Sequence, residues 1–427
     1  MLRISQYLRE IAQAQRSGSY PPPARAARGP VRPVVIWNLT RRCNLTCKHC
    51  YALSADHDYP GELDRDEVFR VMGQLRDYGV RVLILSGGEP LLRPDLFEIA
   101  DEAQRLGFYT ALSTNGTLID APLARRIAAQ NFDYVGISID GQKDTHDRFR
   151  RLAGAYDASV RALRLLREQG VKTGLRYTFT ELNGQDFPAL LQLMRDEAVD
   201  KFYFSHLNYA GRGNIHRKRD ARFTATRDAL DLLFETAWRD AEAGAERDYV
   251  TGNNDADAVY LLQWVGRRFP AWSDALRTRL RAWGGNSSGV GVANIDNLGV
   301  VHPDTMWWHH PLGQVRERPF GEIWEDRSDP LMAGLKAHPR PLKGRCAECA
   351  HLAICGGNTR VRAQQLSGDP WGPDPGCYLD DAEIGLSPEQ AERLNRLHPV
   401  AALPFTEARR PVVPIAEAAP AAGCPVL

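Results

Sequence analysis

Cys43, Cys47 and Cys50 lie close together near the start of the chain, with three residues and then two between successive thiols. A cubane iron–sulfur cluster has four irons and normally takes four thiolates. A cluster held by these three therefore keeps one iron open to a small molecule. The same spacing also matches one face of an amphipathic helix, but the flanks argue against a helix. Pro33 to Trp37 reads as a short strand and the largely polar Asn38 to Arg42 leaves it, so the cysteines begin a loop at a strand's C-terminal end. A second group, Cys346, Cys349, Cys355 and Cys377, supplies four thiolates, enough for a whole cubane. Four cysteines with one CxxC pair equally suit a tetrahedral structural zinc. Between the groups stands Gly87-Gly88-Glu89-Pro90: two glycines that let the backbone approach a ligand closely, a carboxylate acceptor and a proline that fixes the turn. A generic strand-to-helix turn has the same composition.

The elements that must position these residues follow from patterning. Short β-branched and aromatic runs at 34–37, 82–85, 109–112, 134–137, 174–178 and 202–204 alternate with helical patterns, and after the longer cysteine-bearing connection they recur at a spacing of roughly 25 to 40 residues, as strand–helix units of a parallel sheet do. Six strands make a partial barrel rather than a full one of eight. In such folds chemistry gathers at the C-terminal strand ends. Here those ends carry the cysteine loop, Gly87 to Glu89, Ser113 to Gly116, Ser138 to Gly141 and Ser205 to Asn208. Residues 222–283 read as helices, and after Gly284 the texture changes to short strands and turns. Residues 1–16 form one amphipathic helix with Ile4, Leu8 and Ile11 on a face, and the Pro-rich stretch 17–33 is a linker or surface arm. The tail from about residue 398 has too little apolar periodicity to fold alone.

Composition excludes several function classes. Lys+Arg 54 against Asp+Glu 53 gives no overall field to gather nucleic acid or an anionic membrane. No apolar run is long enough to cross a bilayer, and the N-terminus lacks the order of a signal peptide, so the protein is expected to be cytoplasmic. The eight cysteines partition as three, four and one, with Cys424 alone near the end; that is a metal or redox pattern rather than a disulfide scaffold. Cys424 is either incidental or, if the tail folds back, a shield or ligand for a cluster.

The cysteine loop at the first strand end followed by Gly-Gly-Glu-Pro at the second resembles the radical S-adenosylmethionine superfamily; spacing, motif and order agree independently. The resemblance covers roughly residues 33 to 385. It implies an α/β fold: a partial (β/α)6 barrel at 33–221, a helical connector at 222–283 and a small α+β auxiliary iron–sulfur domain at 284–385, with an N-terminal helix and arm at 1–32 and a tail at 386–427. It implies a [4Fe–4S] cluster on Cys43, Cys47 and Cys50 whose open iron chelates the amino and carboxylate groups of S-adenosylmethionine. One electron then splits the sulfonium, giving methionine and a 5′-deoxyadenosyl radical that takes a hydrogen atom from the substrate. Gly87, Gly88 and Glu89 then bind the cofactor, with Glu89 accepting from its ammonium. Ser113, Asn115, Ser138 and Asp140 border the methionine and ribose, although each could merely cap a helix. His49 is a packing residue.

Cys346, Cys349, Cys355 and Cys377 resemble the ligands of a SPASM or reduced twitch-type auxiliary-cluster domain. A full SPASM domain carries three further cysteines. Asn286 and Asp304 stand where the upstream pair belongs, so one auxiliary [4Fe–4S] cluster is expected, with Asp304 or a nearby histidine an open alternative as ligand. This reduced pattern resembles tetrapyrrole-modifying members of the superfamily, those of haem d1 biosynthesis in particular, which implies didecarboxysirohaem as substrate, remodelling of its propionates, and an electron donor such as flavodoxin or ferredoxin. Arg212, His216, Arg217, Lys218 and Arg219 suit carboxylates, and Trp307, Trp308, His309 and His310 suit a macrocycle or its iron; both sets also read as solvated loop and packing. His206, Asn208 and Tyr209, at the sixth strand's end, read either as site residues or as core and cap. Three further readings remain: a radical peptide maturase, a related haem-pathway radical decarboxylase, and a non-catalytic electron carrier or zinc protein, which leaves the Gly-Gly-Glu-Pro unexplained.

Overall fold

The structure is a computed structural model that describes residues 1–18, 31–221 and 223–400. Its strands are β1 (Leu2–Arg3), β2 (Val34–Asn38), β3 (Val82–Ser86), β4 (Tyr109–Thr114), β5 (Tyr134–Ser138), β6 (Thr173–Phe179), β7 (Lys201–His206), β8 (Asp248–Gly252), β9 (Val292–Ile295), β10 (Val300–His302) and β11 (Gly313–Gln314). They form one sheet in the order β1-β8-β7-β6-β5-β4-β3-β2-β9-β10-β11. From β9 through β2 to β8 every pairing is parallel, and only β1, β10 and β11 run antiparallel at the edges. The two end strands do not pair, so the sheet is an open barrel.

Each parallel strand alternates. Val35 and Trp37, Leu83 and Leu85, Val135 and Ile137, Leu175 and Tyr177, and Phe202 and Phe204 are at most 1% exposed and join the main core. The period of two sends the intervening residues to the opposite, inner face. The helices α1 (Ile4–Ser17), α2 (Arg65–Tyr78), α3 (Leu96–Arg105), α4 (Ala121–Ala129), α5 (Lys143–Arg150), α6 (Ala155–Glu168) and α7 (Phe187–Asp196) precede or connect the strands. Asp64 starts α2 with a reciprocal capping box to Glu67, an arrangement that satisfies two otherwise orphaned amides.

The stretch 222–283 is not wholly helical. Between α8 (Phe223–Glu242) and α9 (Asp257–Arg268) lies β8, which extends the parallel sheet beyond β7. Its five residues offer only Tyr249 and Val250 as a strand signal, too short a pattern to compete with the flanking helical periodicity. Ile4, Leu8 and Ile11 are buried, as the amphipathic face requires, and α1 packs on α8 and β8. At the other edge β9 pairs with β2, so the C-terminal region shares the barrel's sheet. The expected tail holds a helix, Pro388–Leu397, started by a Ser387–Gln390 capping box. Residues 19–30 of the Pro-rich arm, and Cys424, lie outside the described residues.

Candidate active site

The chain leaving β2 runs directly against the Gly-Gly-Glu turn after β3. Gly88 N donates to Thr40 O at 2.7 Å and Glu89 N to Arg42 O at 2.8 Å. A Cβ on Gly87 would lie 2.5 Å from Thr40 O, and one on Gly88 would collide with the carbonyls of Arg41 and Arg42. The glycines therefore let the cysteine loop's own backbone approach. Gly88→Ala should displace the loop and lower the iron bound by the three-cysteine site. Iron counting on a Cys346→Ala/Cys349→Ala background, where only the first site binds, measures this.

Further contacts fix the cysteine loop. Cys43 N donates to Ala55 O, Lys48 N to Phe149 O and Arg212 N to Cys50 O, at 2.8–3.0 Å. Arg212 also donates from Nε to Cys47 O at 2.7 Å and from Nη2 to Ser54 O at 3.0 Å. Gly211, at φ +52°, packs on the Cys50 and Tyr51 carbonyls. Arg212 is thus a clasp on the loop. The remaining basic residues disperse: Arg219 pairs with Glu181, Arg217 is buried against Asn214, and Lys218 is exposed. No single basic patch results.

Cys43 and Cys47 are buried around Leu45, with Cys50 packed beside them. Burial pushes the Cys43 and Cys47 thiols up, and Cys43 feels Glu89 next. Such thiols need a cation before they ionise, which fits an iron cluster. Arg150, on α5 and 8% exposed, directs Nη1 to Cys47 Sγ at 3.6 Å and Nη2 to Asp140 Oδ2 at 2.5 Å. Burial opposes the charge on Asp140, but Arg150, His49 and His146 overcome it and hold the carboxyl below its ordinary value. Asp140 also accepts from Thr178 N at 2.8 Å, so its side chain is engaged by the protein. His49 stacks on Phe149 with ring centres 4.7 Å apart.

Glu89 is fully buried and accepts from Thr114 Oγ1 at 2.7 Å, Asn115 N at 2.8 Å and Leu91 N at 3.2 Å. Burial outweighs these donors and pushes its carboxyl up to about 7, a setting in which a ligand ammonium would be favoured. Asn115 donates to Asn44 Oδ1 at 2.9 Å, and its Nδ2 is 4.0 Å from Cys43 Sγ. Ser113 and Ser138 lie half-buried on the inner face of β4 and β5, the former bonded to Arg176. Because the Glu89 carboxyl is raised on folding, its contribution to stability is full below its ordinary 4.5 and fades as pH rises through about 7. Between about pH 6 and pH 8, metal-free protein should lose about 1 kcal/mol more stability than Glu89→Gln does. Denaturant midpoints at the two pH values measure it; equal losses would contradict the burial argument.

The four C-terminal cysteines line one pocket, together with Arg345 and Asn358. Burial raises the Cys349, Cys355 and Cys377 thiols, Cys377 to about 12. Among the described residues no three metal-binding side chains converge on a single-ion position. The site is docked to the barrel's C-terminal ends. Asp255 N donates to Asn358 Oδ1 at 2.7 Å, Asn254 to Gly376 O at 2.9 Å and Arg362 to Asn253 O at 2.6 Å. Both thiol groups therefore stand at the same end of the sheet.

Arg340 holds the stretch that carries Asn286 and Ser288. Its guanidinium donates to Asn286 Oδ1 and O, Ser288 O, Gly356 O and Leu335 O at 2.9–3.2 Å. Asp304 accepts from Ser288 Oγ and Met306 N. Arg340→Met strands these carbonyls and should cost about 3 kcal/mol of stability, read as a lowered unfolding midpoint.

Trp307, at 1% exposure, belongs to a satellite core with Leu331, Leu335 and Val361. His309 bonds Gln364 and His310 bonds Asp329; these three residues are packing. Trp308 faces Tyr51 of the cysteine loop edge-on at 6.1 Å. His206 bonds Asp257 at 2.9 Å and Tyr209 bonds Asp220 at 3.0 Å, both buried, while Asn208 caps the following amide. Arg150 and Arg340 are the residues that sequence reasoning missed. The spacing of His146, Phe149 and Arg150, which places all three on one helix face, is the one sequence signal for Arg150.

A parallel open barrel with a three-cysteine loop at one strand end and a buried glutamate at the next defines a radical S-adenosylmethionine enzyme. The chain belongs to that superfamily: residues 37–194 match the family model described as Radical SAM superfamily. Pre-heme d1 synthase from Dinoroseobacter shibae is 54% identical over 389 residues, 91% of this chain and 94% of its own length. Fe-coproporphyrin III synthase from Methanosarcina barkeri is 42% identical, covering 83% of this chain and 90% of the relative. A solved structure of native anSMEcpe with bound AdoMet shares the fold at TM-score 0.62 and 17% identity, over 86% of this chain and 99% of that one. Membership implies a [4Fe–4S] cluster and S-adenosylmethionine. Among the described residues no helix is long and apolar enough to cross a membrane.

Proposed function

We propose that this enzyme acts in haem d1 biosynthesis, remodelling propionate side chains of didecarboxysirohaem. The observation that carries the reading is 54% identity to a pre-heme d1 synthase across nearly the whole of both chains. Cys43, Cys47 and Cys50 hold the first cluster, and Glu89, Asn115, Ser113, Ser138 and Asp140 surround S-adenosylmethionine. When bound, these groups supply hydrogen-atom abstraction, which reaches an unactivated propionate C–H bond that acid–base chemistry cannot. Arg150 keeps positive charge against the Cys47 sulfur, Glu89 offers its carboxylate to the ligand ammonium, and Arg212 holds the loop shut. Cys346, Cys349, Cys355 and Cys377 hold a second [4Fe–4S] cluster. The electron donor is a cytoplasmic flavodoxin or ferredoxin.

Fe-coproporphyrin III synthase, the 42% relative, favours one other reading, a related haem-pathway enzyme. Product mass spectrometry after anaerobic incubation with didecarboxysirohaem separates the two. Loss of propionate side chains supports the proposal, and retention of every propionate carbon skeleton overturns it. Reconstituted protein should also hold about eight irons, against about four if only the first site binds a cluster.

A further inference from the structure

Among the described residues, Arg176 on the inner face of the sheet is a half-buried guanidinium with no anionic partner. Along β6, Leu175, Tyr177 and Phe179 enter the helix-facing core, so Arg176 points to the opposite face. Register places Arg176 between Ser138 of β5 and Tyr203 of β7. It crosses β5 to bond Ser113 of β4, and it lies over the Tyr203 ring at 5.6 Å. That crossing depends on Gly136: a Cβ there would lie 2.8 Å from Arg176 Cδ.

Other cations near the mouth are committed. Arg150 is paired with Asp140, Arg212 with the cysteine-loop carbonyls, and Arg362 with Asp374. Arg176 is half-buried and, among the described residues, has no carboxylate within 4.0 Å. Guanidinium offers five N–H donors in a planar fork matched to a carboxylate, and the Ser113 hydroxyl takes one of them. Burying such a group without an anion is costly unless a ligand supplies it.

We infer that Arg176 anchors a carboxylate side chain of the substrate within the barrel. The inference rests on the tetrapyrrole reading above and adds to it the residue that grips the substrate's acid groups. Arg176 is a binding residue, and Gly136 positions it.

The test is equilibrium binding of didecarboxysirohaem and of its methyl esters to the reconstituted protein under anaerobic conditions, followed by absorption. Wild type should bind the acid about thirtyfold more tightly than the ester, a typical worth for a hydrogen bond to a charged group. Arg176→Gln should weaken acid binding by a similar factor and bind acid and ester alike, and Arg176→Lys should recover part of the loss. Gly136→Ala, which keeps the charge but displaces the side chain, should weaken acid binding with little change toward the ester. Iron content and unfolding midpoint establish that each variant is folded. Arg176→Gln that still prefers the acid as strongly as wild type overturns the inference and leaves the function intact. A loss confined to S-adenosylmethionine affinity also overturns it, placing Arg176 at the cofactor. Wild type that binds neither tetrapyrrole overturns the functional reading itself.

Discussion

Cys47→Ala is expected to reduce cleavage of S-adenosylmethionine to background while iron stays at the C-terminal site. Cys47 is 6% exposed, and the loop around it is held by backbone bonds that do not use its sulfur, among them Lys48 N to Phe149 O and Arg212 to Cys47 O. The substitution therefore removes a ligand without releasing the loop. Two thiols cannot hold a cubane against exchange, so about four of about eight irons should remain. Anaerobic assay of 5′-deoxyadenosine with parallel iron and sulfide counting checks both halves. Undiminished cleavage would refute the assignment of the cluster ligands, and loss of all iron would mean that the two sites fold as one.

The second large effect is at Arg150. Arg150→Met leaves Asp140 fully buried without its cation, and breaking a buried pair from one side costs about 3–5 kcal/mol. It also removes the N–H group 3.6 Å from Cys47 Sγ, and loss of such an outer partner typically costs about 10–100-fold in metal affinity or activity. The two effects separate in a double variant. Adding Asp140→Asn removes the stranded charge and should restore most of the stability while cleavage stays slow. Recovery of cleavage together with stability would show that Arg150 matters only to the fold. Unfolding midpoints and initial rates of 5′-deoxyadenosine formation measure the two quantities independently.

The parallel core was legible because β2 to β7 each carry a run of apolar residues on a period of two or less. β8 was not, since Tyr249 and Val250 alone mark it and its pairing depends on β7 lying alongside. The cysteine groups and Glu89 were legible by spacing. What spacing could not convey was which neighbour each group serves. Gly87 and Gly88 admit the backbone of Thr40 to Arg42, and Arg212, read as a carboxylate contact or a solvated loop residue, holds that same loop. Trp307, His309 and His310 have the residue types of a haem pocket but find their partners in Val361, Gln364 and Asp329. Arg150 and Arg340 escaped notice because a charged residue on a short helix or in a loop is ordinarily solvated. Only tertiary packing reveals that one is enclosed against a thiol and the other against backbone carbonyls.

The most direct measurement of the reaction uses didecarboxysirohaem deuterated along its propionate side chains, incubated anaerobically with reconstituted protein, a reductant and S-adenosylmethionine. Deuterium should appear in the 5′-deoxyadenosine, in proportion to tetrapyrrole whose propionates have been lost. Unlabelled 5′-deoxyadenosine formed at the same rate with and without the tetrapyrrole, beside an unchanged macrocycle, would contradict the proposed reaction.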